Sequence, residues 1–309
     1  MSDYRFKMGM FLNELGMSFD KSLAVAKDIG AEYVWFDRIP GESPIDEMSD
    51  VEVCRIKEQL DNYGLKIALV STAPPFKQMH LTDLKLDTLQ DNPEFQKDLQ
   101  RLVRAMEIAV QLGVDAVLTY SFAWPGEYSA GKPTWPMRWA TRGGIISDDE
   151  LEKLVKAFSI MADKVECFGV NLVVSMMPWN YTNTTGNFRR IMERVGSKHI
   201  KCMWGPADNL NCGESDTATT GFLNIRPWLH SLHIKDLHVI DGAHLKFEYR
   251  PVGAGDVDYL TVLRNLRESC CDAFLCVATH FRPESGSAEE AMRINYTNLR
   301  ELIHRVESE

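Results

Sequence analysis

A histidine and a lysine stand two residues apart in the apolar segment LHSLHIKD, at His233 and Lys235. Residues i and i+2 of an extended strand point to the same face, so both side chains are expected to share one environment. An imidazole can move protons, and a lysine whose pKa is lowered by burial can assist it or stabilise an oxyanion. The pair therefore predicts proton-transfer chemistry. The structural alternative is a lysine paired with Asp236 or another carboxylate, beside a satisfied core histidine.

Aromatic and basic residues offer surfaces for a substrate. Trp124 and Trp179 directly follow predicted strands, and an indole can stack on the apolar face of a sugar, although aromatic rings also fill cores. Arg138 and Arg142 can bind a carboxylate or a phosphate, or can simply be solvated. We take Trp124, Trp179 and Arg142 as candidate substrate contacts.

These residues lie in a chain of short apolar segments that alternate with amphipathic segments. Repeated βα units predict a parallel sheet, and eight units predict a closed (β/α)₈ TIM barrel, a single domain over residues 1–309. A doubly wound open sheet is the rival, but no GxGxxG follows the first strand. The predicted strands are Lys7–Phe11, Tyr33–Phe36, Lys66–Ser71, Ala116–Tyr120, Asn171–Met176, Ile200–Trp204, Ser231–Lys235 and Phe274–Thr279. The predicted helices are Asp20–Ile29, Val51–Tyr63, Pro93–Leu112, Asp148–Phe168, Phe188–Val195, Tyr259–Ser269 and Ala288–Val306, with the sixth crossover the weakest.

The connection 121–147 is unusually long, and loops of this length are commonly functional. Three tryptophans in it argue against disorder. In a barrel it would lie on the C-terminal face, where active sites are built. We interpret it as a lid or a pocket wall; a packed or oligomer-contacting excursion is the alternative.

Composition excludes several classes of function. The 34 basic and 44 acidic residues leave a net charge of −10 with no basic run, so nucleic acid is not an expected partner. No run of about 18 apolar residues predicts a membrane span, and the N-terminus lacks a signal-peptide pattern. The seven cysteines have no CxxC spacing, which favours reduced, mostly buried thiols. A cytoplasmic location is the default expectation.

Four segments of the second half, read together, resemble the xylose-isomerase-like sugar isomerases, epimerases and related dehydratases. VNLVVSMMPWNYTNTTG is similar to the fifth strand and its loop, and CMWGPADNLNCGE to the sixth strand and its turn. LHSLHIKD resembles the seventh strand, and PVGAGDVDY with FLCVATH resembles the final turn and the eighth strand. Their order and spacing match together, and weaker agreement extends into the first half. The resemblance implies a TIM barrel acting on a carbohydrate-type substrate.

The resemblance also implies a divalent cation held by two Glu, one Asp and one His, which stabilises an enediolate. The matching positions keep only the histidine, His233. The other three ligands fall on Ser175, Gly205 and Ala278. A lone imidazole and a serine hydroxyl cannot neutralise a divalent ion, so no cofactor is expected.

A relocated metal site remains an alternative. His280 lies two residues beyond Ala278, and Asp208 lies in the turn after the sixth strand. With His233, they would supply two imidazoles and one carboxylate. Without a metal, His280 is a third candidate for acid–base work or an ordinary structural histidine, and Ser175 and Asp208 become candidate substrate contacts.

Two hypotheses follow. The first is an enzyme that isomerises, epimerises or dehydrates a sugar or cyclitol by proton transfer through His233 and Lys235, without a bound cation. The second is a non-catalytic, degenerate paralogue that binds a sugar or supports a catalytic partner subunit. Homo-oligomers are common in the resembled family, but no sequence feature decides the assembly.

Overall fold

The computed structural model describes residues 4–39, 44–72, 75–129, 132–135, 137, 143–244 and 246–309. Its strands are β1 (Lys7–Phe11), β2 (Tyr33–Trp35), β3 (Lys66–Ile67), β4 (Val70–Ser71), β5 (Ala116–Tyr120), β6 (Tyr128–Ser129), β7 (Lys132–Pro133), β8 (Asn171–Ser175), β9 (Ile200–Trp204), β10 (Leu229–Ile234), β11 (Asp236–Asp241), β12 (Lys246–Arg250) and β13 (Phe274–Val277). Its α-helices are α1 (Phe19–Ile29), α2 (Asp50–Tyr63), α3 (Pro93–Leu112), α4 (Asp148–Phe168), α5 (Thr185–Val195), α6 (Pro206–Asn211), α7 (Phe222–Ile225), α8 (Tyr259–Glu268) and α9 (Ala288–Glu307).

The parallel strands close into a barrel. The hydrogen-bonded order is β3-β2-β1-β13-β10-β9-β8-β5-β4. β3 and β4 are two parts of one strand, broken at Ala68 and Leu69; the first part pairs with β2 and the second with β5, which closes the ring. The first and last strands, β1 and β13, are neighbours, with Met8 opposite Leu275. The predicted (β/α)₈ TIM barrel is confirmed, and each predicted barrel strand is present within two residues of its predicted bounds.

Strand residues fill two separate apolar layers. Alternate side chains, among them Trp35, Leu118, Val173 and Met203, pack inside the barrel. The intervening side chains pack outward against the helices in the larger core. Burial on both faces explains why the strands are nearly continuous apolar runs.

The long amphipathic helices lie where the sequence predicts them. The bounds of α3 and α4 agree to the residue, because Asn92 and Ser147 cap the backbone N–H groups of their first turns. Among the described residues, no helix is both long and apolar enough to span a membrane.

The sixth crossover is broken rather than helical throughout. Short α6 is followed by a π-helical turn at Thr217–Gly221, by α7 and by a 3₁₀ turn at Arg226–Trp228. Gly213 and Pro227 interrupt any longer helix here, because glycine weakens a helix and proline cannot donate the helical hydrogen bond.

A hairpin that the sequence analysis did not predict follows the seventh barrel strand. It consists of antiparallel β11 and β12. Asp236, its first residue, accepts hydrogen bonds from the backbone N–H groups of Leu237, Gly253, Gly255 and Val257. This carboxylate therefore joins the hairpin to the turn PVGAGDVD.

The same region holds the backbone of Lys235. The Tyr259 hydroxyl donates to the Lys235 carbonyl oxygen at 2.6 Å, and the Lys235 N–H lies 3.2 Å from that hydroxyl. Both residues are buried. The turn and the first residue of α8 thus fix the segment that carries Lys235.

We predict that Gly255→Ala destabilises the fold. An added Cβ would lie 2.5 Å from both Asp236 Cγ and Leu237 O, so the turn must shift away from the carboxylate. The expected loss is about 2 kcal/mol in urea-induced unfolding. Gly242→Ala, where nothing lies within 4 Å of the new Cβ, is the control. Equal stability of the two variants would show that the turn yields freely.

Candidate functional site

A buried ion pair lies at the C-terminal mouth of the barrel. Lys235 Nζ is 2.9 Å from Asp208 Oδ1, and the side chains are 5% and 7% exposed. Lys235 follows β10, and Asp208 lies in the first turn of α6, directly after β9. The partner of Lys235 is therefore Asp208 and not Asp236, whose carboxylate serves the neighbouring turn.

The glycine at the end of β9 makes room for this carboxylate. A Cβ placed on Gly205 would collide with Asp208 Oδ2. Pro206 then begins α6, so the chain turns at once and returns Asp208 towards the barrel axis. Gly205 has no side chain of its own at this position, and the Asp208 carboxylate occupies the space instead.

The ion pair holds Lys235 in its charged form. Burial alone would lower the pKa of Lys235, but the carboxylate of Asp208 outweighs this and raises the pKa above its usual value. Burial raises the pKa of Asp208, and the ammonium opposes that rise. The expectation of a lowered pKa for Lys235 is therefore wrong, and Lys235 is suited to stabilising negative charge and not to accepting protons.

His233 is a neutral imidazole beside this ammonium. Its ring is buried inside the barrel with its centroid 6.1 Å from that of Trp35. Burial lowers its pKa well below the usual value, and the charges of Lys235 and Lys77 lower it further. Nδ1 lies 3.9 Å from Asp208 Oδ2, and neither ring nitrogen has a hydrogen-bond partner among the described residues. The ring can therefore offer a hydrogen bond to a bound molecule.

His280 and Glu14 form a second polar group at the same mouth. His280 Nε2 is 3.4 Å from Glu14 Oε1, and the ring centroids of His280 and His233 are 6.5 Å apart. Tyr249, from the hairpin, stacks on His280 at 4.7 Å. His280 lies in the loop after β13, not on an extended strand as expected, because β13 ends at Val277. Burial and the charges of Lys235 and Arg282 lower its pKa.

Aromatic rings and another lysine form a further part of the mouth. Lys77 Nζ lies 4.9 Å from the ring centroid of Tyr120 and 5.8 Å from that of Trp179. Trp179 also packs against the small cluster of Met137 and Cys212, the first of which belongs to the connection 121–147. Its role as a substrate contact stays a prediction.

Two other predicted substrate contacts do not take part in this arrangement. Trp124 is buried in the outer core and stacks on Tyr181 at 3.7 Å, because the chain after β5 turns away from the barrel axis. The prediction for Trp124 is corrected to packing. Arg142, like Arg138, lies outside the described residues.

The four positions implied as metal ligands lie at the C-terminal ends of neighbouring strands. Ser175 and His233 are the polar ones, and Gly205 and Ala278 bring no donor side chain. Among the described residues, no three His, Cys, Asp or Glu side chains are arranged to hold a metal ion. The proposed relocated set of His233, His280 and Asp208 does not form such a group, and the Lys235 ammonium already neutralises its carboxylate. These donors do not fit a divalent cation.

An open cavity of about 360 Å³ lies elsewhere, beside the start of α3. Two of its charged residues serve the fold: Asp98 accepts from the Phe76 N–H, and Arg101 Nε is 2.6 Å from Asp46. We therefore place the candidate site at the barrel mouth, where buried polar groups converge.

Comparison with known proteins agrees with this architecture. The family profile for the xylose isomerase-like TIM barrel matches residues 23–301, so the chain belongs to that family. No curated protein sequence matches the chain.

Solved structures of low sequence identity share the fold. An L-ribulose 3-epimerase is 14% identical over 98% of this chain and 96% of its own, with a TM-score of 0.72. The probable 3-DHS dehydratase AsbF of Bacillus anthracis, involved in petrobactin synthesis, is 14% identical over 96% and 99%, with a TM-score of 0.68. A xylose isomerase-like protein from Mycobacterium smegmatis, solved in complex with magnesium, is 16% identical over 97% and 98%, with a TM-score of 0.67.

Three residues of the mouth were not found from the sequence: Glu14, Lys77 and Tyr249. Each follows a barrel strand through a turn or a hairpin, and nothing in its local pattern marks it. The only available signal for Glu14 was its position just after the first strand, in FLNEL.

We predict that Lys235→Met costs about 3 kcal/mol of unfolding free energy, because it leaves a buried carboxylate without its partner. Lys235→Met with Asp208→Asn should recover most of that loss. Both are measured by urea unfolding, with Lys66→Met, whose lysine is 65% exposed, as the matched control. Equal losses in the single and double variants would mean that the two side chains are not coupled.

Proposed function

We propose that the chain is an enzyme that moves a proton next to the carbonyl of a sugar or sugar-like hydroxyketone, and that a protein ammonium supplies the charge usually supplied by a divalent cation. The observation that carries the proposal is the buried Lys235–Asp208 pair, which occupies the space over Gly205 beside a neutral His233.

The chemistry follows from the charge that such a reaction creates. Removal of a proton adjacent to a carbonyl leaves an enediolate, whose negative oxygen must be stabilised. An ammonium has three hydrogens, and Asp208 needs one of them, so two remain for substrate oxygens. The unpartnered nitrogens of His233 can add a neutral hydrogen bond to the same oxygens.

The site is also preorganised for this task. The pair is buried, and electrostatic interactions are stronger where water is excluded. The Lys235 backbone is held by Tyr259, and the Asp208 side chain by Lys235 itself. Little rearrangement is therefore needed when charge develops.

A carbohydrate-type substrate is supported by two further observations. The partly buried Trp179 offers a ring surface at the mouth, next to the Lys77 ammonium. Structures that share the fold include an L-ribulose 3-epimerase and a D-tagatose 3-epimerase-like protein. Isomerisation and epimerisation both begin with the same proton removal, as does dehydration of a hydroxyketone.

The test is hydrogen exchange without added metal. Chelator-treated protein is incubated in D₂O with a panel of ketoses, ketose phosphates and cyclitol ketones, and deuterium at the carbon next to the carbonyl is detected by NMR. We expect wild-type protein to exchange at least one of them. Removing one oxyanion donor typically costs about 10²–10³-fold, so Lys235→Met and His233→Gln should be slower by that factor.

Metal content separates this proposal from the relocated metal site. Protein purified without chelator is analysed by plasma mass spectrometry beside His233→Ala. Substoichiometric metal is expected in both. A metal bound one per chain, lost in His233→Ala and required for exchange, would overturn the metal-independent mechanism. A wild-type protein that exchanges nothing on the panel would favour the non-catalytic binding role.

A further inference from the structure

We propose that Glu14 is the group that removes and returns the substrate proton, a catalytic carboxylate supplied by the turn after the first strand of the barrel instead of the strands that carry the usual ligands. This inference rests on the proposed function. The observation behind it is the placement of Glu14 at the same mouth as the Lys235 ammonium, 3.4 Å from His280.

The first reason is that the groups beside the Lys235 ammonium are poorly suited to accept the proton. Lys235 is held as an ammonium by Asp208, and Asp208 is bound to that ammonium. His233 and His280 both have lowered pKa values, because burial and neighbouring positive charge disfavour their protonated forms. A base for carbon acids works best with a pKa close to the working pH.

The second reason is the setting of Glu14 itself. The side chain is 14% exposed, so it is mostly buried but keeps some access to solvent. Oε2 accepts a hydrogen bond from the Thr279 backbone N–H, which leaves Oε1 on the side of His280. Burial raises the pKa of Glu14 to about 7, although Thr279, Lys235 and Arg282 oppose that rise.

The charged and titratable groups around Glu14 come from four elements. The loop after β13 contributes His280 and Arg282. The other three groups are Lys235 after β10, Asp208 in α6 and Tyr249 in β12. The two cations stabilise the carboxylate, and Asp208 favours its protonated form. Neutral His280 lies beside Oε1, where it is placed to orient the carboxyl group.

The step is balanced without any co-reactant. The Glu14 carboxylate takes the proton from the carbon next to the carbonyl, the C–H electron pair becomes the C=C bond, and the carbonyl π pair moves onto oxygen. Lys235 and His233 stabilise that oxygen. Return of the proton from the Glu14 carboxyl group restores the carbonyl compound, and in D₂O the returned atom is deuterium.

The experiment measures the pH dependence of deuterium exchange for a substrate found on the panel above. A base must be deprotonated, so the wild-type rate should rise with pH, reach half its maximum near pH 7 and then level off. Glu14→Gln should be at least about 100-fold slower and should lose that inflection. Glu14→Asp, which keeps the carboxylate, should retain part of the rate and the inflection.

Controls separate catalysis from structure. Glu248→Gln removes an exposed hairpin carboxylate that pairs with Arg250, and its pH profile should match wild type. A merely structural Glu14, binding the Thr279 N–H, would change stability without moving the inflection. Infrared titration of wild type against Glu14→Gln adds a readout independent of activity, in which the wild type should show a carboxyl group that titrates near pH 7.

The outcomes are distinguishable. Exchange by wild type that survives in Glu14→Gln with its pH profile intact overturns this inference and leaves the proposed function standing. Absence of a carboxyl titrating near pH 7 in the infrared difference also overturns it. Absence of exchange on the whole panel overturns both proposals, whereas loss of rate and inflection in Glu14→Gln with rescue by Glu14→Asp supports both.

Discussion

The barrel mouth is organised by the contact between Lys235 Nζ and Asp208 Oδ1, 2.9 Å apart and almost fully buried. Two opposite charges removed from water are costly to desolvate, and they are tolerated only when each holds the other in good geometry. That requirement explains several local features. Gly205 has no side chain where the carboxylate lies, Pro206 turns the chain immediately into α6, and Tyr259 holds the Lys235 backbone. Burial lowers the pKa of the neighbouring His233, and the charge of Lys235 lowers it further.

The barrel itself could be predicted from the sequence because its signals are local. A strand buried on both faces is a short apolar run, and β1, β5 and β9 agree with their predicted bounds to the residue. The hairpin β11–β12 was missed because its strands are half-exposed and mix charged with aromatic residues. The sixth crossover gave the weakest helix prediction, and the reason is also local, because Gly213 and Pro227 interrupt the helix there.

The site was predictable only in part, because its members meet through topology. His233 and Lys235 share a face by simple alternation, and Asp208 was singled out from its turn, although its partner was not known. Glu14 is brought to His280 by the pairing of the first and last strands, and it binds the backbone of Thr279, 265 residues away in sequence. No local pattern encodes that contact. Trp124 was mispredicted for a related reason. A tryptophan shortly after a strand can point to the mouth or to the outer core, and the path of the following loop determines which of the two it does.

In the proposed function an ammonium takes the place of a divalent cation, and that exchange has physical consequences for the reaction. A lysine carries half the charge of such a cation and donates hydrogen bonds along defined directions, whereas a metal can bind two substrate oxygens at once. Weaker stabilisation of the enediolate can be offset by a drier site and by a base of well-matched pKa. The resemblance implies carboxylates on the fifth and eighth strands at positions where this chain has Ser175 and Ala278, so the proposed reaction needs a proton acceptor from another part of the mouth. Glu14, near the junction of the first and last strands, is a carboxyl group of the described mouth that is not committed to an ion pair with Lys235, and in the proposed mechanism it is that acceptor.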